Sequence, residues 1–460
     1  MHYRKLACYL SAISIALVPI MSHAGGFRIN LDNVSGLGDA FAGGAALTQD
    51  ASVNAYNPAG LVFINKHQLV LGVNGVLSDT TFKGSTAAPS LVPPFAIPFP
   101  PFGLNLGTNF SAPNASVRSN SNGVLPAIYY NYPINPQLAF GFSVNVPFGL
   151  GLNYGENSDL RYGLIKATQS SIDIAPSLSY LVTPQFSIGA GPNFQNYSLL
   201  ALVKQNTTSS GIVIPVPPIV IPPTTDSESK VYGSDWGYGG HIGLIYAPSD
   251  ATHIGLAYRS QIVHHVSGNS ELASGTASLG PFGNQSSSTN NFRLRFTVPP
   301  NVMLSATQKL NSQWSVLGTV DYTFWQTFNY VTTYNVAQGS LLPPATISVP
   351  QKFINTWHVA LAANYQATDQ WLLRCGLAYD QAPTVNATRS VEFPNGNTIA
   401  AGIGARYAFN SKVSVDLGYL HSFVQKTHIN LTDATTGATE NGTLQTTADV
   451  FGLGLVWNIS

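Results

Sequence analysis

Charge is what this sequence has least of. Only 9% of its 460 residues are Asp, Glu, Lys or Arg, and 20 basic residues balance 20 acidic ones. A neutral chain without a basic stripe has nothing to hold nucleic acid, and so few charges make a poor water-facing surface. Cysteine is almost missing as well: Cys8 falls in the leader and Cys375 stands alone, so the mature chain has no intramolecular disulfide. No Gly-x-Ser-x-Gly elbow, phosphate-binding glycine loop or metal-protease histidine spacing occurs. His264-His265 reads as a polar strand end. The expectation is therefore a protein that is not an enzyme and needs no metal or cofactor. No run after the leader is long and apolar enough for a membrane helix. Disorder is excluded by 44% hydrophobic and 11% aromatic residues.

The leader is Arg4 and Lys5, an apolar run over 6–21, then Ser22 and Ala24. This is a secretory signal over residues 1–24, expected to be cleaved after Ala24. A membrane role for the exported chain must then come from strands, because only helices and closed barrels satisfy the backbone in lipid.

Residues 25–61 organise the rest. Gly36, Gly38, Ala40, Ala42, Gly43, Gly44, Ala45, Ala46 and Ala51 leave this stretch too little apolar bulk for a core of its own. It needs a container that supplies burial and hydrogen-bond partners. Gly26-Phe27, Gly36-Leu37-Gly38, Ala40, Gly43, Asp50-Ala51-Ser52 and Asn57-Pro58-Ala59 resemble the N-terminal hatch of the FadL-type outer-membrane transporters. The resemblance implies that residues 25–65, with Gly25, Gly26, Phe27, Asp50, Asn57, Pro58 and Ala59 as its marks, plug the lumen of a β-barrel and move to open a path for hydrophobic molecules.

From residue 66 to 460 the pattern is all-β. Fourteen strands are expected near 66–83, 117–132, 136–155, 169–183, 185–204, 232–247, 251–267, 290–309, 313–330, 353–367, 370–382, 396–409, 412–427 and 444–459. Their connections alternate between very short and long. This asymmetry predicts a fourteen-stranded antiparallel transmembrane barrel with periplasmic turns and extracellular loops. Alternation assigns faces: Phe353, Trp357, Val359, Leu361 and Tyr365 oppose Thr356, His358, Ala360 and Asn364, and Leu294, Phe296, Val298, Val302 and Leu304 oppose Arg293, Arg295, Thr297, Asn301 and Ser305. The apolar set is expected to meet lipid. Tyr180, Tyr246, Trp314, Tyr365, Trp371, Tyr407 and Trp457 gather beside the short turns, where an interfacial girdle belongs.

Two features break the barrel pattern. Asn145, Pro147, Phe148 and Gly149 put a proline and a glycine inside the third strand, which forces a kink, bulge or gap; a plain structural bulge is the alternative. In the FadL family this strand is kinked and opens a lateral window, and Asp159-Leu160-Arg161-Tyr162 is also similar to the family pattern. The loops at 89–103 and 211–223 are apolar and proline-rich, which favours extended polyproline segments. They read equally as a capture surface for greasy molecules or as loops that pack on each other as a lid or bind a neighbouring protein.

By parity Arg293, Arg295, Arg374, Arg406, Asp321, Asp380 and Asp416 point inward. One reading pairs Arg293 or Arg295 with a substrate carboxylate. The other, which is favoured, pairs the lumen charges with one another and with Arg28, Asp39 and Asp50. The resemblance covers nearly the whole mature chain and implies passive uptake of hydrophobic small molecules, with Phe27 against the substrate and exit beside Pro147. Long-chain fatty acids lead, and aromatic hydrocarbons or alkanes are the alternative. A lipid-modifying enzyme and a loop-mediated binding protein are the competing classes. The remaining expectations are a monomer in a Gram-negative outer membrane, among its lipid and lipopolysaccharide. One departure is the C-terminus, where Trp457 and Ile459 take the outward positions in place of a final aromatic residue.

Overall fold

The alternating stretches become wall strands far longer than a bilayer requires. In the computed structural model, described here over residues 26–459 except 30, 32, 92–94, 97–102, 105–106, 211, 216–217, 222, 274–285, 339–342 and 435, one sheet of twenty segments closes on itself. Six pairs of segments run on as single wall strands, so the wall has fourteen. These are β1 (Gln68–Ala88), β2 (Phe110–Asn135), β3 (Leu138–Asn145 and Gly149–Asn153), β4 (Lys166–Thr183), β5 (Phe186–Gln205), β6 (Ser227–Ser249) and β7 (Thr252–Arg259 and Ile262–Ala273). They continue as β8 (Ser287–Val298 and Asn301–Lys309), β9 (Trp314–Thr323 and Tyr330–Val336), β10 (Ala345–Pro350 and Thr356–Gln366), β11 (Trp371–Asp380), β12 (Thr398–Ala408), β13 (Val413–Val424 and Thr427–Thr432) and β14 (Thr439–Asn458). Neighbours are antiparallel, and β1 closes the barrel on β14 from Gln68↔Asn458 to Ala87↔Thr439. The signal sequence, its cleavage site and Gly25 lie outside the described residues.

All six short turns fall where the sequence puts them. Above them an outward apolar band about nine residues tall, such as Trp371, Leu373, Leu377 and Tyr379 on β11, matches a membrane crossing. Trp314–Tyr365 and Trp371–Tyr407 meet as tilted ring pairs at its lower edge, with ring centroids 4.7 Å apart in each pair. Beyond the band the outward face turns polar, as in Asp79 and Arg118, which pair across β1 and β2. The strands thus continue upward outside the membrane.

That extension inverts one expected assignment. Phe292, Leu294, Phe296 and Val298 are buried inside the barrel, and Arg293 and Arg295 are exposed on its outer face. Pro299-Pro300 breaks β8, and below it the odd residues Asn301, Met303 and Ser305 point inward. Across from this break, residues 260–261 interrupt β7, since Arg259 pairs with Asn301 and Ile262 with Val298. Above the membrane no lipid rewards an outward apolar face, so burial draws it inward. Phe353 also differs from expectation: it lies in the break between the two segments of β10 and is 4% exposed inside. Val302, Leu304, Trp357, Val359 and Leu361 do face outward.

The apolar proline-rich loops also differ from expectation. Ile212–Pro215 pairs antiparallel with Pro218–Ile221 as a small hairpin, in place of a polyproline run. The bases of the two loops are joined: Leu91 N donates to Asn206 O (2.8 Å) and Thr108 N to Thr208 O (2.9 Å). Their packing on each other is therefore real at the base. Most of 89–103 and several residues of 211–223 lie outside the described residues.

Candidate functional site

The described residues of 26–64 run inside the barrel, fastened around its circumference by inward polar side chains. Asn54 Nδ2 donates to Ser143 Oγ on β3, Ser187 Oγ of β5 donates to Ala59 O (2.8 Å), Asn57 Nδ2 to Leu244 O on β6, and Gly43 N to Thr319 Oγ1 on β9. These bonds satisfy a segment that has little secondary structure of its own beyond one helical turn (Ser35–Gly38) and two 3-10 turns (Ala51–Ala55 and Pro58–Phe63). Asp50 and Asn57 cap the 3-10 turns by accepting from Ser52 N and Ala59 N, which explains the Asp-Ala-Ser and Asn-Pro-Ala spacings.

Ion pairs complete the fastening. Arg374 of β11 reaches Asp416 of β13 (2.7 Å) and lies 3.7 Å from Asp39; Arg406 of β12 binds Asp416 (2.7 Å) and Asp50 (2.5 Å). Arg28 meets Asp321 at 2.8 Å. The favoured reading of the lumen charges, mutual pairing with Arg28, Asp39 and Asp50, is what the geometry shows. Arg293 and Arg295 do not join them.

The break in β3 holds the other end of the segment. Ile29 N donates to Pro147 O (2.8 Å) and Gly149 N to Phe27 O (2.9 Å), making Arg28 and Phe148 a bridge pair. Alternation vanishes here, with every residue from 145 to 152 buried, because the chain bends out of the wall toward the lumen. The last pair joining β2 to β3 is Ile128↔Val144; above it, Gly149–Asn153 pairs with β4 alone. Thus, among the described residues, β2 has no strand partner on that side from 110 to 127, and a bond from Asn153 N to Ser119 Oγ (2.8 Å) reaches across the gap. Pro147, which donates no hydrogen bond, sits at the parting.

Phe27, fully buried, lies under a cluster of rings: Trp325 at 4.9 Å, Phe328 at 5.0 Å, Phe148 at 5.7 Å and Phe296 at 6.4 Å between centroids. Phe353 and Phe393 extend it. Full burial of one such side chain is worth about 1.5–3 kcal/mol, so apolar contact holds the N-terminal residues in place. Trp325 and Phe328 escape the sequence reading because it runs a strand through 313–330, whereas a short 3-10 turn (Trp325–Thr327) swings both rings inward. The doubled aromatic Phe324-Trp325, which breaks the alternation, was the available signal.

One constellation looks hydrolytic. Ser177 Oγ lies 2.8 Å from His241 Nε2, and His241 Nδ1 lies 2.8 Å from Asn193 Oδ1. Ser177 is only 3% exposed, and its imidazole leans on an amide in place of a carboxylate, so the set acts as a polar strut in the wall. Among the described residues no His, Cys, Asp and Glu group could hold a metal ion.

Residues 15–460 match the family described as outer membrane protein transport protein (OMPP1/FadL/TodX). The chain belongs to this family. Outer membrane protein P1 of Haemophilus influenzae is 28% identical, covering 98% of this chain and 99% of that one. The long-chain fatty acid transport protein of Escherichia coli O6:H1 is 24% identical, over 89% of this chain and 90% of its own length. Among solved structures, a Pseudomonas aeruginosa FadL homologue superposes with a TM-score of 0.78 at 25% identity, over 95% of this chain and all of the other. The Ralstonia pickettii toluene transporter TbuX has the same fold, with a TM-score of 0.60 at 19% identity over 92% and 98% of the two chains. The protein is an outer-membrane channel for hydrophobic compounds and not an enzyme.

Proposed function

We propose that this channel takes up long-chain fatty acids, that residues 25–65 act as its hatch, and that substrate leaves sideways through the break in β3. The observation that carries the proposal is the backbone pairing of residues 27–29 with 147–149. It couples the residue that closes the aromatic cluster to the strand whose departure parts β2 from β3. Substrate entering the cluster would displace Phe27, and the same movement would release Phe148 beside the gap. Differential affinity for the two arrangements supplies the free energy. The gap opens near Leu125 and Ala127, flanked by the outward Val124 and Ile128; that is membrane depth, so an apolar molecule leaves without meeting water.

The test is uptake of radiolabelled oleate and of toluene by transporter-deficient cells expressing the intact protein or its Pro147→Ala variant. Oleate uptake that collapses in the variant supports the reading. Unchanged oleate uptake by the variant removes the lateral exit, and uptake of toluene alone moves the substrate to aromatic hydrocarbons.

A further inference from the structure

Arg293 and Arg295 stand on the outside of the barrel, away from the lumen and from the gap in β3. Register places them in two rungs. His265 of β7, Arg295 of β8 and Thr332 of β9 are directly paired, with Ser348 of β10 opposite Thr332. The rung above holds Ser267, Arg293 and Tyr334. Directly paired residues share a face, so neighbouring strands surround the two exposed guanidinium groups with hydroxyl and imidazole side chains. Two residues along one strand, the arginine Cα atoms are about 7 Å apart. Lys352 adds a third cation farther along the same side, exposed between buried Gln351 and Phe353.

No acid of this stretch answers that charge. Between Glu271 and Asp369 the sequence holds one carboxylate, Asp321, which is buried inside against Arg28. Glu271 itself is taken by Lys230 (3.3 Å) and Tyr232 (2.9 Å). Asp235 of β6 accepts from His265 N (2.8 Å) and lies 3.4 Å from His264 Nδ1. Among the described residues Arg293, Arg295 and Lys352 make no ion pair. Like charges on adjacent rungs repel, and an anion from outside the chain would relieve them.

Depth narrows the choice of anion. Tyr258, Val302, Tyr322 and Trp357 form one outward row across the same four strands, with the Tyr322 and Trp357 rings 4.5 Å apart. Such a row belongs at the upper edge of the apolar band. Arg295 stands above Val302 by roughly 15–20 Å, allowing for strand tilt. In the outer leaflet of a Gram-negative outer membrane that height lies beyond the acyl chains, among phosphorylated sugars.

We propose that Arg293 and Arg295 bind a phosphate on the sugar headgroup of lipopolysaccharide, with Lys352 beside them for a second phosphate. Planar guanidinium forks match phosphate oxygens, and the hydroxyls of Ser267, Thr332 and Tyr334 are further donors. The acyl chains of the same molecule lie below, against Leu304, Val302 and Tyr322. The site is on the outer wall and does not depend on which molecule the lumen carries.

The test is binding to the purified full chain in detergent, titrating rough lipopolysaccharide and the same material after dephosphorylation. The wild type is expected to prefer the phosphorylated form by about 10-fold or more, the scale of one charge-assisted bond. The double variant Arg293→Gln, Arg295→Gln is expected to lose that preference and to bind the dephosphorylated form within about 2-fold of the wild type. Both side chains are exposed, and an unchanged compact band on an unheated gel checks that the barrel still forms. Lys309→Gln, which removes a cation at the periplasmic end of β8, is expected to change neither affinity. Equal binding of the two forms by the wild type, or an undiminished preference in the double variant, overturns the proposal. So does phosphatidylglycerol that binds as tightly as lipopolysaccharide, since any anionic headgroup would then serve.

Discussion

Arg374 on β11 and Asp416 on β13 are joined at 2.7 Å across the intervening β12, whose Arg406 takes the same carboxylate at 2.7 Å. One aspartate thus neutralises two wall arginines that also hold Asp39 and Asp50 of the N-terminal segment. Removing it leaves cations facing each other in a dry interior. Asp416→Asn is expected to destabilise the barrel by about 3 kcal/mol, read as a lower temperature for loss of the compact, unheated band on a denaturing gel.

Arg28 and Phe148 form a bridge pair whose flanking atoms carry the hydrogen bonds, which is the arrangement with the shorter Cα separation. A disulfide fits that spacing. The double variant Arg28→Cys, Phe148→Cys, in a Cys375→Ser background, is expected to block uptake of methyl oleate when oxidised and to recover it with reductant. Equal uptake in both states would show that the segment does not gate.

Wall glycines set how closely the segment approaches. A Cβ on Gly255 of β7 would come within 1.9 Å of Ala45 O, a backbone atom that cannot swing aside. Gly255→Ala is expected to leave the barrel closed and to unseat the segment, at about 1–3 kcal/mol of overpacking. The measurement is permeability of outer membranes to a small polar dye, which should rise several-fold.

Glu440 lies at the extracellular end of β14, far above the membrane band, buried with Oε2 lacking a protein partner. Burial, with added repulsion from Asp433 and Glu392, pushes its carboxyl up from 4.5 to about 7. The folded state therefore holds a proton that the unfolded chain releases above about pH 4.5. Stability falls as pH rises from there through 7, because the native state binds more protons over that window. Glu440→Gln is expected to match the wild type in thermal midpoint at pH 4 and to exceed it at pH 8; equal midpoints at both would refute the linkage.

What the sequence makes legible is set by which rules are local. Turn residues such as Asn410-Ser411 and the girdle at Trp371 and Tyr407 mark strand ends, so the strand number and orientation can be read. The motif at Asn57-Pro58-Ala59 marks the segment because capping is a short-range interaction. Arg293 and Arg295 escape for a different reason. Alternation separates two faces but does not say which is inside, and that choice reverses once a strand leaves lipid. Nor does any local signal foretell that Arg28 and Phe148, far apart in the chain, form a bridge pair at the break in β3.

The reversal at Pro299-Pro300 also gives β8 a fixed waterline. Below it Leu304 and Val302 face outward and tolerate only lipid; above it Arg295 and Arg293 face outward and tolerate only polar surroundings. A shift of the barrel by the four or so residues that separate Arg295 or Leu304 from the Pro299-Pro300 break would submerge a guanidinium or strand a leucine. The chain therefore carries its own draught mark, and its depth in the outer membrane is set by the order of its amino acids before any neighbouring lipid or protein has a say.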